Sequence, residues 1–590
     1  MGTGLSIFAW ITILAMVLKF GLSVKSKLPG DIISLLVIGL LLVSGSLPTE
    51  EALSCFSDDT VWGVLLLLVM VAALVQSGVI DWIVNHLMGT PANYTRALNR
   101  LMWPVAFLSA FLNNETVVVL FMTVAKKWCR VLHTAPSKLL IPLSYAAGMG
   151  GVCTIIGTPC NLIVSYFYQE QTGKPLNLFT PLLPGLCCTV VGLIAINLMQ
   201  KRLLPVRKSP EENFEDAQDY TVELLVPTEN DAVGMTVEES GLDNVRGGHL
   251  LEIVRFDREI ICPVPKDEFI LGGDRLVYTG QIRSILDLRE TRGLVNATHH
   301  VFSVDEMHRK RQFQMATVLP DSPLVGQRMA DLNWEDANGV VLVAVAREGE
   351  RLQGIPREMV LRSRDTLLLE GTRLNPENFP RSLMFSDEMP VPRRRGITTL
   401  TATLIMVLFL VLNTTGLLPL LSATIICVAL MVVLQCCTVK QVQQSLDWKL
   451  LCTYAGSVCI GTAISYTGLA DAAAQWVIHS FGGNSVLALI VICTITTFST
   501  EFTGATGAAA VFAPVGYQIA TTLGVNPVSF MVAIMISASS SFATPGSNET
   551  HEMVAGPGGY RYTDFLRMGI PMNFIILAAT IVSVMIFIPL

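Results

Sequence analysis

Two polar islands inside apolar runs hold the residues best placed to do chemistry: Phe111-Leu-Asn-Asn-Glu-Thr-Val-Val-Val-Leu120 and Thr500-Glu-Phe-Thr-Gly-Ala-Thr-Gly507. Lipid cannot hydrogen-bond a carboxamide or a carboxylate, so such groups at membrane depth face protein, water or a ligand. Each island is followed by an apolar segment broken at a Thr-Pro. The first break is Thr154-Ile-Ile-Gly-Thr-Pro-Cys-Asn161, where Gly157 and Pro159 interrupt helical hydrogen bonding; the second is Ser539-Ser-Ser-Phe-Ala-Thr-Pro-Gly-Ser-Asn548. Amides and hydroxyls around freed carbonyls suit a dehydrated Na⁺, and half-helix N-termini suit an anion. One such break alone is more often a packing kink, and a lone Ser or Thr usually bonds back to its own helix. A single buried Glu such as Glu501 serves as often to hold a hairpin as to bind an ion. The weight comes from the same pairing occurring twice, which is the sequence pattern of a secondary transporter's binding site.

The elements that must position these islands follow from composition. Of 590 residues, 51% are hydrophobic and 15% charged, against about 25% charged in an ordinary soluble chain; mean hydropathy is +0.54. The net charge of -7 is modest, and no basic stripe points to nucleic acid. Thirteen cysteines are scattered without paired CxxC spacing, which argues against a zinc site or disulfide framework.

Apolar spans are expected near Leu5–Leu22, Ile32–Gly45 and Val61–Val79, with an acidic loop at Glu50, Glu51, Asp58 and Asp59. Then come Leu101–Val124, broken at its middle, Leu139–Phe167 and Leu182–Met199. Placing Lys25, Lys27, Arg96, Arg100, Lys126, Lys138, Lys201 and Arg202 together in the cytoplasm makes Leu101–Val124 a re-entrant hairpin with Asn113-Asn114-Glu115 at its tip. The second half repeats the count: Ile397–Val411, Leu417–Leu434, Leu450–Thr467, a Gly-rich external segment, a broken hairpin Val486–Gln518, then Phe530–Phe542 and Ile570–Pro589. It starts in the cytoplasm after Arg393-Arg394-Arg395, whereas the first half starts outside. The expectation is therefore a polytopic α-helical membrane protein of two inverted-topology repeats, 1–205 and 396–590.

Between the halves lies a charged insert that repeats itself. Gly272-Gly-Asp-Arg-Leu-Val-Tyr-Thr-Gly280 is echoed by Arg362-Ser-Arg-Asp-Thr-Leu-Leu-Leu-Glu-Gly371, with alternating strand-like runs at Leu250–Phe256 and Val340–Ala346. Two α+β units are expected, 210–295 and 310–380. Each resembles the C-terminal lobe of potassium-conductance regulators (RCK-C, or TrkA-C), which implies dimerisation and a small regulatory ligand. No Gly-x-Gly-x-x-Gly fingerprint accompanies them.

The membrane halves resemble the divalent anion:sodium symporter family of the ion transporter superfamily. The resemblance rests on Asn113-Asn114-Glu115, on Gly157-Thr158-Pro159-Cys160-Asn161, on Thr500-Glu501-Phe502 before the second tip, and on Gly556-Pro-Gly-Gly-Tyr560. It implies a homodimer with a fixed scaffold and an elevator-like transport domain carrying both hairpins. Two departures stand out. The second tip reads Gly504-Ala505-Thr506 where relatives carry an Asn. The last break continues as Asn548-Glu-Thr-His-Glu552, placing carboxylates and an imidazole near the pathway or in water beyond it.

The combined reading is a secondary active transporter in the plasma (inner) membrane, with its insert cytoplasmic. It takes up a small anion, sulfate or a dicarboxylate being favoured, coupled to Na⁺ and without a cofactor. The expected substrate residues are Asn113, Asn114, Thr158, Asn161, Thr503, Thr506, Ser547 and Asn548. The expected Na⁺ residues are Asn114, Gly157, Glu501, Gly504 and Thr544, with Glu115, Glu549 and His551 as candidate coupling groups. The alternatives are a cation/proton antiporter on the same fold, favoured by the extra carboxylates, and a transporter-like solute sensor. An enzyme is disfavoured, since no nucleophile–base or metal-ligand constellation stands out.

Overall fold

The computed structural model describes all residues except 1–5, 26–29, 58, 80–88, 90, 133, 208–220, 243, 246–247, 256–258, 262–263, 281–292, 297–311, 320–321, 329–339, 348–349, 353–358, 372–382, 386–395, 416, 438–441 and 444–447. Lys27 and Arg393–Arg395, used above for orientation, lie outside the described residues, as does Asp58.

The first half contains α1 (Ile7–Lys25), α2 (Gly30–Val43), α3 (Thr49–Ser57), α4 (Asp59–Gln76), α5 (Tyr94–Ser109), α6 (Asn114–Leu132), α7 (Ser137–Gly151), α8 (Pro159–Thr172) and α9 (Leu182–Leu203). The second contains α10 (Gly396–Thr414), α11 (Leu420–Val433), α12 (Trp448–Tyr466), α13 (Leu469–Ser480), α14 (Ser485–Leu523), α15 (Pro527–Ser539), α16 (Glu549–Ala555) and α17 (Tyr562–Phe587). Two expectations are corrected. The acidic loop is the helix α3, which starts at Thr49 and sets Glu50 and Glu51 in its first turn, where carboxylates complement the helix dipole. The Gly-rich external segment is mostly α13, whose Ala-rich sequence favours helix; glycines 482 and 483 mark only the turn after it.

Among the described residues, Thr49–Leu74, Leu182–Leu203, Ser485–Leu523 and Tyr562–Phe587 are long and apolar enough to cross a membrane, and shorter apolar helices accompany them. The helices pair across the halves in a reciprocal way. α4 packs on α11 while α2 packs on α12, and α9 packs on α17. α8 packs on α14, and α16 packs on α6. Each broken segment thus braces the island-bearing segment of the other half, the pattern that a two-fold relation between repeats generates.

The insert forms two antiparallel sheets of one design. The first contains β1 (Thr221–Leu225), β2 (Asn244–Val245), β3 (Gly248–Arg255), β4 (Glu259–Ile261), β5 (Arg275–Gly280) and β6 (Val295–Asn296). The second contains β7 (Gln312–Val318), β8 (Val340–Arg347), β9 (Glu350–Arg351), β10 (Thr366–Gly371) and β11 (Leu383–Phe385). Strand order is β2-β3-β5-β1-β6 with β4 on β3, against β11-β7-β10-β8-β9. Read as β4-β3-β5-β1-β6 and β9-β8-β10-β7-β11, the orders coincide. Both units carry a fork of the same kind: Arg255 donates to both carboxylate oxygens of buried Asp274 at 3.1 Å, and Arg347 to those of Asp365 at 2.8 and 2.7 Å. Bidentate pairing suits a planar guanidinium, and Asp274 with a second carboxylate, Glu268, raises the Arg255 pKa.

Candidate functional site

The first island is a break between α5 and α6, longer-armed than its sequence suggested. The hydroxyl of Ser109, the last residue of α5, donates to Asn114 Oδ1 at the start of α6, and the carbonyl of Ala110 accepts from the Thr154 hydroxyl. The Asn113 side chain accepts from the Glu115 N–H at 3.2 Å, capping the new helix as Asn does at N-termini. Asn113 also lines a cleft with Phe111, Gly157 and Pro159, closed on the far side by Leu67 and Val71 of α4.

Behind the tip, α7 stops at Gly151 and α8 resumes at Pro159, with Thr158 as its extended N-cap. The Thr154 hydroxyl accepts from the Gly157 N–H at 3.1 Å. Asn161 is fully buried, and its Nδ2 donates to the carbonyls of Thr154 at 2.8 Å and Gly151 at 3.4 Å. It therefore braces the unwound segment. Asn114 lies directly over Gly151: a Cβ there would sit 2.7 Å from Asn114 Oδ1 and 2.6 Å from Thr158 Cγ2. Only glycine admits that approach. Asn114 and Thr158 thus meet where the N-termini of α6 and α8 come together, a place with donor groups to spare.

The second island is the kink in α14. Gly504 takes φ 74 and ψ 165, which separates two helical arms; an L side chain disfavours this conformation. The tip lies near the second break, since a Cβ on Gly504 would stand 3.9 Å from the Ser547 carbonyl oxygen. Thr503 is exposed and its hydroxyl donates to the Ser499 carbonyl at 3.0 Å, while Thr506 is half-buried. Ser547 is buried and donates to the Thr544 carbonyl at 2.8 Å. Asn548 accepts from the N–H and hydroxyl of Thr550 at 3.1 and 3.0 Å, and its carboxamide lies beside Gly148 of α7.

Glu501, an expected Na⁺ residue, and His551, a candidate coupling group, are both hydrogen-bonded within the protein. The Glu501 carboxylate accepts from the Ala543 N–H at 2.9 Å, the Thr544 N–H at 2.8 Å, the Thr544 hydroxyl at 2.9 Å and Asn573 Nδ2 at 2.6 Å. Four donors on one buried carboxylate tie α14 to the break and to α17. His551 is fully buried: Nε2 lies 2.8 Å from the Ser541 carbonyl and Nδ1 2.6 Å from the Ser144 hydroxyl. A carbonyl can only accept, so Nε2 carries a proton, and the Ser144 hydroxyl beside Nδ1 also donates to Thr550 Oγ1 at 2.9 Å. The rings of Tyr145, Phe542 and Phe565 surround it. Glu549 is exposed, and Glu115 is half-buried at the start of α6.

The two breaks touch each other. Ser539 Oγ lies 2.9 Å from Cys160 Sγ and 3.5 Å from Thr158 Oγ1. Tyr145 of α7 donates to the Phe542 carbonyl at 2.6 Å, and Asn573 accepts from the Phe542 N–H at 3.1 Å. Of the expected residues, Asn114, Gly157, Thr158 and Asn161 gather at the first break, and Gly504, Thr544, Ser547 and Asn548 at the second. Residues unremarked in the sequence complete the arrangement: Ser109, Ser144, Gly151 and Asn573. Asn573 left a readable mark, a single carboxamide inside the apolar run of α17.

Two breaks from opposite halves, each braced by the other half's helices and joined inside an apolar bundle, define an integral membrane transporter. The chain belongs to the citrate transporter family (CitMHS), whose model matches residues 13–477 and 450–589. It is a transporter and not an enzyme. An uncharacterised transporter of Synechocystis sp. is 29% identical over 98% of this chain and 96% of its own length. A putative sulfur deprivation response regulator of Chlamydomonas reinhardtii is 28% identical over 95% and 98%. Sodium/sulfate cotransporter 1 of the same alga is 29% identical over 51% of this chain and 36% of its own length.

Proposed function

We propose that this protein is a sodium-coupled importer of a small oxyanion, sulfate in first place and a dicarboxylate in second. The supporting observation is the contact between breaks: the Asn114 carboxamide and the Thr158 hydroxyl stand at converging helix N-termini, within reach of Ser539 from the other half. Helix N-termini and neutral donors favour an anion, and the unwound carbonyls near Gly157 and Gly504 favour Na⁺. Na⁺ neutralises and orders the tips, so the anion meets a formed site; neither ligand alone favours the closed, moving state. Relatives named as sodium/sulfate cotransporters agree with this choice of ions. In this reading Asn113, Asn114, Thr158, Thr503, Thr506, Ser547 and Asn548 face the ligands, while Asn161, Glu501 and His551 hold the breaks in shape.

The motion is elevator-like: α5–α9 and α14–α17 carry the site along a scaffold of α1–α4 and α10–α12, within a homodimer. The cleft between Asn113 and α4 lies on that boundary. The inserted units are RCK-C-like and cytoplasmic, and the membrane is the plasma membrane. Counterflow in proteoliposomes tests the assignment. Labelled sulfate exchanges against internal sulfate, succinate competes weakly, and Asn114→Ala abolishes exchange. A sensor reading draws on the whole-length relative named as a response regulator; it predicts saturable sulfate binding with no exchange.

A further inference from the structure

The two inserted units differ at one turn, and the difference points at the membrane half. In the first unit Gly273 precedes the buried Asp274, takes φ +93, and donates its N–H to the Val226 carbonyl at 2.8 Å. In the second unit Arg364 precedes buried Asp365 and donates its N–H to the Val318 carbonyl at 2.9 Å. The two positions are therefore equivalent, yet Arg364 takes φ 71. An arginine at a left-handed position that the sister unit fills with glycine is strained, and such strain persists only where something else requires the side chain.

The side chain reaches α16. Arg364 Nη2 donates to Glu552 Oε1 at 2.6 Å, with both side chains only partly exposed. One turn further, Gly556 is pressed against the same unit: a Cβ there would lie 2.7 Å from Thr317 Cγ2 and 3.2 Å from the Arg364 carbonyl. Thr317 on β7 is itself buried. The helix held in this way runs directly from Asn548 and carries His551, which is bonded to the Ser541 carbonyl within the second break.

We propose that the Arg364 turn and the Thr317 strand form the docking face by which the second inserted unit grips α16, and that this grip sets the position of the second break. The partner is the chain's own α16, recognised through the Glu552 carboxylate and the bare Gly556 backbone. Glu552, which the sequence offered as a pathway residue, is the anchor point of the insert. The first unit, with Gly273 at the equivalent turn, lacks the guanidinium. The effect on transport rests on the proposed site at 544–548; the docking itself does not.

The test uses the full-length protein and Arg364→Gly, which copies the sister unit and relieves the turn, so the second sheet stays folded. Hydrogen exchange of backbone amides is followed separately over 549–556 and over β7 and β10. The expected result is about threefold faster exchange in 549–556, the size a partly exposed ion pair supports, with β7 and β10 unchanged or slower. Glu552→Arg repeats the loss, and Arg364→Glu combined with Glu552→Arg restores protection by re-forming the pair. Unchanged exchange at 549–556 in Arg364→Gly, or no recovery in the reversed pair, overturns the docking. Exchange that responds while the sulfate counterflow rate stays at wild type keeps the docking and refutes its control of the site.

Discussion

Cys160 Sγ and Ser539 Oγ lie 2.9 Å apart, one from the broken helix of the first half and one from that of the second. Thr158 reaches the same hydroxyl at 3.5 Å. The contact joins segments 379 residues apart in the chain, with the whole insert and α14 between them. It places the polar ends of both halves at one spot, the place where the proposed site would draw on both.

Gly151 is the residue that lets Asn114 and Thr158 approach. In Gly151→Ala the new Cβ would fall 2.7 Å from Asn114 Oδ1 and 2.6 Å from Thr158 Cγ2, so the carboxamide must move. The expected outcome is a protein that is purified at normal yield with a modest fall in Tm. Losing one hydrogen bond to a charged ligand removes about 1.5–3 kcal/mol, so the sulfate half-saturation concentration should rise roughly tenfold or more. Transport kinetics in proteoliposomes check this.

Glu501 separates a pin from an ion ligand. Glu501→Gln places an amide N–H₂ against donors from Ala543, Thr544 and Asn573. Disrupting a buried charged network of this kind costs about 3–5 kcal/mol. A large fall in Tm is expected, with the same loss in sodium-free and sodium-containing buffer. A stable variant whose Na⁺ half-saturation alone shifts would make Glu501 an ion ligand after all.

His551 should not carry the coupling proton. Both nitrogens are engaged and three aromatic rings enclose it. In His551→Gln uptake falls together with thermal stability, because the Ser541 and Ser144 bonds are lost, while the shape of the pH profile is retained. A variant of wild-type stability with a flattened pH profile would contradict this placement.

The islands and both Thr-Pro breaks were legible in the sequence because an apolar run makes any amide or carboxylate conspicuous. The repeat of the insert was legible for a similar reason, since Gly272–Gly280 and Arg362–Gly371 keep the strand alternation and the buried Asp. What composition could not show is which polar groups are spent on each other. Glu501, Asn161 and His551 stand out as polar residues in a list, and only the structure shows the protein groups to which each is bonded. Helix α13 escaped because its flanking glycines outweighed its alanines, and α3 because acidic residues were read as loop when they cap a helix start. Asn573 was missed because a lone carboxamide without a repeated partner gave no pattern to follow.

Asn114 itself should be the most sensitive position. Its carboxamide accepts from Ser109 and lies over Gly151. Asn114→Asp keeps the shape and adds a negative charge facing an anion, so sulfate uptake is expected to vanish while Na⁺ binding tightens. Isothermal titration with Na⁺ and with sulfate separately checks both halves of that statement.

The most direct measurement is sulfate uptake into proteoliposomes driven by an inward Na⁺ gradient, with a K⁺ gradient and a pH gradient as the comparison arms. The account predicts concentrative uptake with Na⁺ only, lost in Asn114→Ala. Absence of anion flux under all three gradients, together with Na⁺-driven proton movement sensitive to Glu115→Gln, would contradict it in favour of a cation/proton antiporter.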